Sequence, residues 1–214
     1  MDVGRFIQYI ASGTALTVSV SLIALPLGLF LGLILSLLYV YGGKTFNRIM
    51  SIYSTVMRGV PPIVLLFILY FMVSGSINLS PFWAGSISLG IISSAYQMEI
   101  IRGALLSVSG GQMMAARAIG MSKMGAIRYV IIPQAFRMAI CPWSNEAAIV
   151  IKDSSLVYAL GVPEILRRAQ LISASTQQPF LAFIVAGLIY FVLVFVTNRL
   201  LDGLDKRLRI PANP

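Results

Sequence analysis

GGQMMAARAIGMSKMGAIRYVIIP, the stretch from Gly110 to Pro133, decides how the rest of the chain is read. It places small residues, glycine breaks and the basic side chains of Arg117, Lys123 and Arg128 between two long apolar runs, so it has to be a polar elbow. Met113 to Ile119 holds good helix formers with no breaker, and Gly120 is the residue expected just past a helix end. Ser122 is placed to cap a second short helix running through Lys123 and Arg128. Two small helices jointed at a glycine form a knob on a membrane surface, where Ala115, Ala116 and Gly120 leave room for another body to approach.

Composition sets the class. Of 214 residues, 58% are hydrophobic and 11% charged, which excludes an ordinary soluble protein. With Cys141 as the single cysteine, there is no intrachain disulfide and no cysteine metal cluster. The chain has no histidine, so a Ser-His-Asp triad and histidine-held zinc or haem are excluded by inventory. The net charge of +9 comes from basic residues scattered at the ends of apolar runs, which speaks for membrane topology and against nucleic acid.

Five membrane-spanning helices are expected, at about 8–41, 59–77, 82–106, 130–151 and 179–201, with the elbow at 108–129, all within one domain covering residues 1–214. The run from Phe6 to Tyr41 is either one long tilted helix or a span preceded by an interfacial segment. A cleaved signal peptide is the competing reading, opposed by the length of the run and by Asp2 and Arg5 near its start. Gly42 to Arg58 reads as a polar loop. Pro61 and Pro62 suit the first turn of the second span. Pro133, Pro142 and Asn145 predict a broken fourth span, and Pro163 to Ile172 an amphipathic piece lying flat on the outer surface. With the amino terminus outside, twelve basic residues fall inside: Lys44, Arg48 and Arg58, then Arg102, Arg117, Lys123, Arg128 and Arg137, then Arg199, Lys206, Arg207 and Arg209. Four fall outside, Arg5, Lys152, Arg167 and Arg168, so the elbow and carboxyl terminus are expected in the cytoplasm.

Ionisable residues within spans are costly and are by default functional or paired. Glu99 and Arg102, one turn apart, are placed to pair on one helix face, either as a structural ion pair or as part of a substrate path. Asn145, Glu146, Lys152, Asp153, Ser154 and Ser155 gather along and past the expected break in the fourth span. An amino-acid zwitterion needs donors for its carboxylate and acceptors for its ammonium group, and such a group could supply both. The alternative is a surface network holding the outer segment.

The elbow resembles the coupling loop of membrane subunits of bacterial ABC importers: Glu-Ala-Ala, three residues, Gly, nine residues, an apolar triplet and Pro. Ala115, Ala116, Gly120, Val130, Ile132 and Pro133 fall on that pattern, whereas Met114 stands where the glutamate belongs. That departure leaves shape and basic residues to carry docking, and the resemblance assigns ATPase coupling to Gln112, Met114, Ala115, Ala116, Arg117, Gly120, Ser122 and Lys123. Gly13-Thr14, Arg58-Gly59-Val60-Pro61, Ala95-Tyr96 with Glu99, Arg102-Gly103, Pro133-Gln134-Ala135-Phe136-Arg137 and Lys152-Asp153-Ser154-Ser155-Leu156 are similar to the polar amino acid permease branch.

The resemblance implies an all-α bacterial inner-membrane permease of the type I importer fold. It also implies a second permease subunit, the same or similar, two ATPase subunits carrying ATP and Mg, and a periplasmic or lipid-anchored substrate-binding protein. Asn145-Glu146 and the segment Ser173 to Phe183 are similar to subunits handling basic amino acids, and a carboxylate at 146 would provide the countercharge a cationic side chain needs. Neutral polar cargo such as glutamine is the alternative. The chain has no phosphate loop of its own, so no ATP hydrolysis and no cofactor are expected in it. The rival from another class is an ion-gradient transporter with Glu99 or Glu146 carrying the proton. A membrane enzyme has little catalytic inventory to draw on.

Overall fold

The computed structural model describes residues 2–76 and 78–208, and the structure is built of helices throughout this range. A short amphipathic helix α1 (Val3–Ala11) breaks at Ser12–Gly13 into the long α2 (Thr14–Tyr41). Next come α3 (Lys44–Gly59), α4 (Pro62–Ser76) and α5 (Pro81–Ser107). The elbow holds α6 (Gly110–Ala118) and the single turn α7 (Lys123–Ala126), then a π-helical segment, Ile127–Ile131, that runs into α8 (Ile132–Asp153). A 3₁₀ segment, Ser154–Leu160, leads to α9 (Ile165–Thr176) and α10 (Pro179–Leu208).

α5 is the central post, packed against α2, α3, α4 and α8. Its seam with α2 is made of small residues. Ser21, Ala24, Gly28, Gly32 and Ser36 line one stripe of α2, and Ser86, Ser93, Ser94 and Ala95 face inward on α5. A Cβ on Gly28 would stand 2.5 Å from the Gln97 amide nitrogen, and one on Gly32 would stand 2.9 Å from the Met98 backbone nitrogen. Small residues at recurring turns let two apolar helices approach to backbone contact, which is how helices associate where no water drives them together.

Among the described residues, two stretches, Val3–Tyr41 and Pro179–Arg207, are long and apolar enough to cross a bilayer unaided. α3 and α4 are bent by 111° where they meet and make a further crossing if taken as one broken span. α5, with 27 residues, and α8, with 22, reach about 40 and 33 Å, long enough to cross, while their buried faces carry polar groups. The expected end of the second span, Ile77, and the basic tail at 209–214 with Arg209 lie outside the described residues.

Three local expectations are corrected. Gly42 to Arg58 is a helix and not a loop: Met50, Ser54 and Met57 recur at helical spacing on its inner side, a pattern the surrounding polar residues hide. The fourth span is continuous through Pro142 and Asn145. Pro133 follows closely on the π-helical segment, where the ladder is already widened, and beside Pro142 the Ser144 hydroxyl donates to the Cys141 carbonyl at 2.7 Å. The piece expected to lie flat at 163–172 is packed instead, because Ile165, Ala169 and Ile172 are buried against Phe6 and Ile10 of α1 and Ala182 and Ala186 of α10.

Candidate functional site: an elbow and two polar clusters

The elbow is shaped by its caps. Ser109 caps α6 by accepting from the Gly111 N–H at 3.3 Å, and Ser122 caps α7 by accepting from the Gly125 N–H at 3.0 Å. Between the helices Gly120 turns left-handed at φ +88°, a region that disfavours side chains. The Gly120 and Met121 N–H groups return to the Arg117 and Ala116 carbonyls, closing the end of α6. Arg117 then ties the two pieces, its guanidinium donating to the Met121 carbonyl at 2.7 Å. The expected second helix through Arg128 is one α-turn followed by the π-helical segment.

Of the residues assigned to coupling, Ala116 faces inward at 5% exposure and packs the knob against the chain. Gln112, Met114, Ala115, Arg117, Gly120, Ser122 and Lys123 are exposed. Met114 at 70%, Ile119 at 81% and Met124 at 71% give the knob an exposed apolar crown.

A first polar cluster sits in the half of α5 nearer the elbow. Glu99 is clamped by Arg102, which donates through Nε at 2.9 Å and through its terminal nitrogen at 2.6 Å. Its other oxygen accepts from the Ser54 hydroxyl at 2.7 Å, with the Arg58 guanidinium 3.8 Å away. Arg102 also stacks over the Tyr39 ring, at 4.9 Å. The expected Glu99–Arg102 pair is therefore part of a network that fastens α3 and α2 to α5.

A second cluster is buried between α5 and α8. The Trp143 indole N–H donates to the Gln97 side-chain oxygen at 2.7 Å, the Gln97 amide donates to the Ser93 hydroxyl at 3.0 Å, and that hydroxyl donates to Glu146 at 2.6 Å. Gln97 is fully buried, Ser93 and Glu146 nearly so. Glu146 and Asp153, two helical turns apart on one face of α8, line a small cavity of about 10 Å³ with Ser93 and Tyr96. A space of that size holds one water at most, so an amino acid would need the helices to part.

The six residues expected to gather at the fourth span do not all converge. Glu146 and Asp153 share the cavity, whereas Asn145 and Lys152 are exposed on other faces. Ser154 turns its hydroxyl back onto the Ile151 carbonyl, and Ser155 is half-buried. The reason is that α8 continues unbroken, so neighbours in sequence point 100° apart and leave no unwound backbone to aim them together. Sequence reasoning missed Ser93, Gln97 and Trp143, because it looked for polar residues only beside ionisable ones in the sequence. The available signal was a serine and a glutamine one turn apart in an apolar span.

Comparison with known proteins decides the family. The family described as "Binding-protein-dependent transport system inner membrane component" matches residues 24–210. The chain belongs to it. Among its relatives, this permease is 33% identical over 207 residues to the glutamine transport system permease protein GlnP of Escherichia coli (strain K12), covering 95% of this chain and 94% of that one. It is 32% identical over 205 residues to the arginine transport system permease protein ArtQ of Bacillus subtilis, with the same coverage. To the octopine transport system permease protein OccQ of Rhizobium radiobacter it is 30% identical, over 91% of this chain and 87% of that one.

Among solved structures the permease is similar to an amino acid ABC transporter crystallised with histidines, at a TM-score of 0.85 and 33% identity over 97% of this chain and 99% of that one. It also shares the fold of an inward-facing structure of the MetNI methionine ABC transporter, at a TM-score of 0.84 and 17% identity, covering 98% and 100% of the two chains. The expected type I importer fold is borne out by these matches, and membership in this family does not favour an ion-gradient transporter.

Proposed function

We propose that this permease is the membrane-spanning subunit of an ATP-driven importer of amino acids, with cationic amino acids as its favoured cargo. The observation that carries the reading is the elbow: a capped, glycine-jointed knob whose exposed crown of Met114, Ile119 and Met124 is a docking surface without a partner in this chain. ATP and Mg then belong to two ATPase subunits seated on that crown and on the equivalent one of a second permease subunit. ATP binding draws the two elbows together, and the movement passes through α8 to open the pathway outward to a substrate-binding protein. The amino terminus lies outside and the elbow in the cytoplasm, consistent with the basic residues concentrated on the elbow side.

Relatives named for glutamine, arginine and octopine, and a related transporter crystallised with histidines, support amino-acid cargo. The cationic preference rests on Glu146 and Asp153, two acidic residues lining one cavity with Tyr96. Such a pair favours a guanidinium or ammonium group in a low-dielectric setting. Neutral cargo such as glutamine is the second reading, supported by the GlnP relative. Competition uptake into vesicles holding the whole complex separates the two. Glu146→Gln should weaken uptake of arginine or lysine by tenfold or more, about 1.4 kcal/mol, while glutamine uptake changes little. Equal losses for both would remove the carboxylate from cargo selection. ATP-independent uptake that collapses with a protonophore would overturn the importer reading itself.

A further inference from the structure

The corner between α2 and α3 holds a feature outside the elbow and the two polar clusters. An open groove of about 730 Å³ lies there, lined by Tyr39, Gly43, Thr45 and Asn47 and flanked by Lys44 and Arg48. The two basic residues stand one turn apart on α3, both exposed, and no acidic residue lines the groove. Among the described residues neither makes an ion pair or a hydrogen bond, unlike Arg58 and Arg102 on the neighbouring network. Beside the groove, α3 presents a bare apolar stripe: Ile49, Ile52 and Val56 are 50%, 59% and 52% exposed. The corner shares an end of the bundle with the elbow, since the Lys123 ammonium lies 5.9 Å from the centre of the Tyr41 ring.

We propose that this corner binds one anionic phospholipid of the cytoplasmic leaflet, its phosphate held between Lys44 and Arg48 and its acyl chains laid along Ile49, Ile52 and Val56. The charge is complementary: two free cations at the level of the headgroups, next to an apolar face running into the hydrocarbon. A second permease subunit covering α3 would have to bury both cations without a countercharge, which is costly. The inference rests on the proposed orientation, with this end of the bundle facing the cytoplasm.

The test uses the assembled complex in detergent, titrated with phosphatidylglycerol or with phosphatidylcholine, and reads lipid retention by native mass spectrometry. Wild type should retain phosphatidylglycerol preferentially. K44Q/R48Q should weaken that binding by about 30-fold, from roughly 1 kcal/mol for each basic residue, and K44R/R48K should keep it. Equal retention of the two lipids, unchanged binding in K44Q/R48Q, or displacement by free glycerol phosphate as readily as by lipid would overturn the proposal. ATP-driven uptake by the same wild-type complex in vesicles reads the transport function separately. Uptake without lipid preference sinks only the lipid site, and lipid preference without uptake sinks only the transport reading.

Discussion

Gly120→Ala is the most economical probe of the elbow, because it adds one carbon in open space. A Cβ at Gly120 would meet no atom of this chain within 4 Å, so within the subunit the cost is that of the backbone at φ +88°. Holding an L-residue there costs about 1–2 kcal/mol, which shifts the population of the native elbow geometry by about 5–30-fold. The matched control is Gly110→Ala in the same elbow, where a Cβ also meets nothing and φ is not positive, so alanine in the first turn of α6 should be neutral or mildly stabilising. The assay is uptake per ATP hydrolysed by the reconstituted complex. Gly120→Ala should lower that ratio by up to about 5–30-fold with expression and assembly intact, and Gly110→Ala should leave it near wild type. The same ratio in both variants would mean that the left-handed joint does not set the docking geometry.

Other perturbations read the packing and the clusters. Trp143→Phe leaves the buried Gln97 oxygen without its donor and should cost about 1–3 kcal/mol, seen as a lower melting temperature of the detergent-purified complex. Gly28→Val would drive a side chain into the Gln97 amide and the Gly90 carbonyl, costing more than about 3 kcal/mol, so little folded protein should survive gel filtration. Arg102→Gln should destabilise more than Arg58→Gln by about 1 kcal/mol, since Arg102 holds Glu99 through two hydrogen bonds and Arg58 stands 3.8 Å off; equal melting shifts would count against that ranking.

Much of the helical order was legible because a bilayer demands long apolar runs and breaks between them carry glycine, proline or charge. The joint at Gly120, the cap at Ser122 and the Glu99–Arg102 pair follow from local rules that hold whatever packs around them. α3 was not legible, since its polar composition outweighs a periodicity visible only in which residues turn inward. The convergence of Glu146 with Ser93, Gln97 and Trp143 was also out of reach, because it depends on how α8 is rotated against α5, a tertiary quantity that spacing along one helix does not contain. The unbroken course through Pro142 belongs to the same class: α8 is held through it by packing against α5 and α10, and sequence punctuation alone argues for a stop.

The π-helical segment Ile127–Ile131 stands where elbow meets spanning helix. Its wider ladder accommodates one residue more than an α-helical turn would, so the junction carries spare chain. Shortening the segment by a single residue could restore ordinary pairing while leaving Ala135 and Ala139 facing α5. The elbow is thus joined to α8 with one residue of slack.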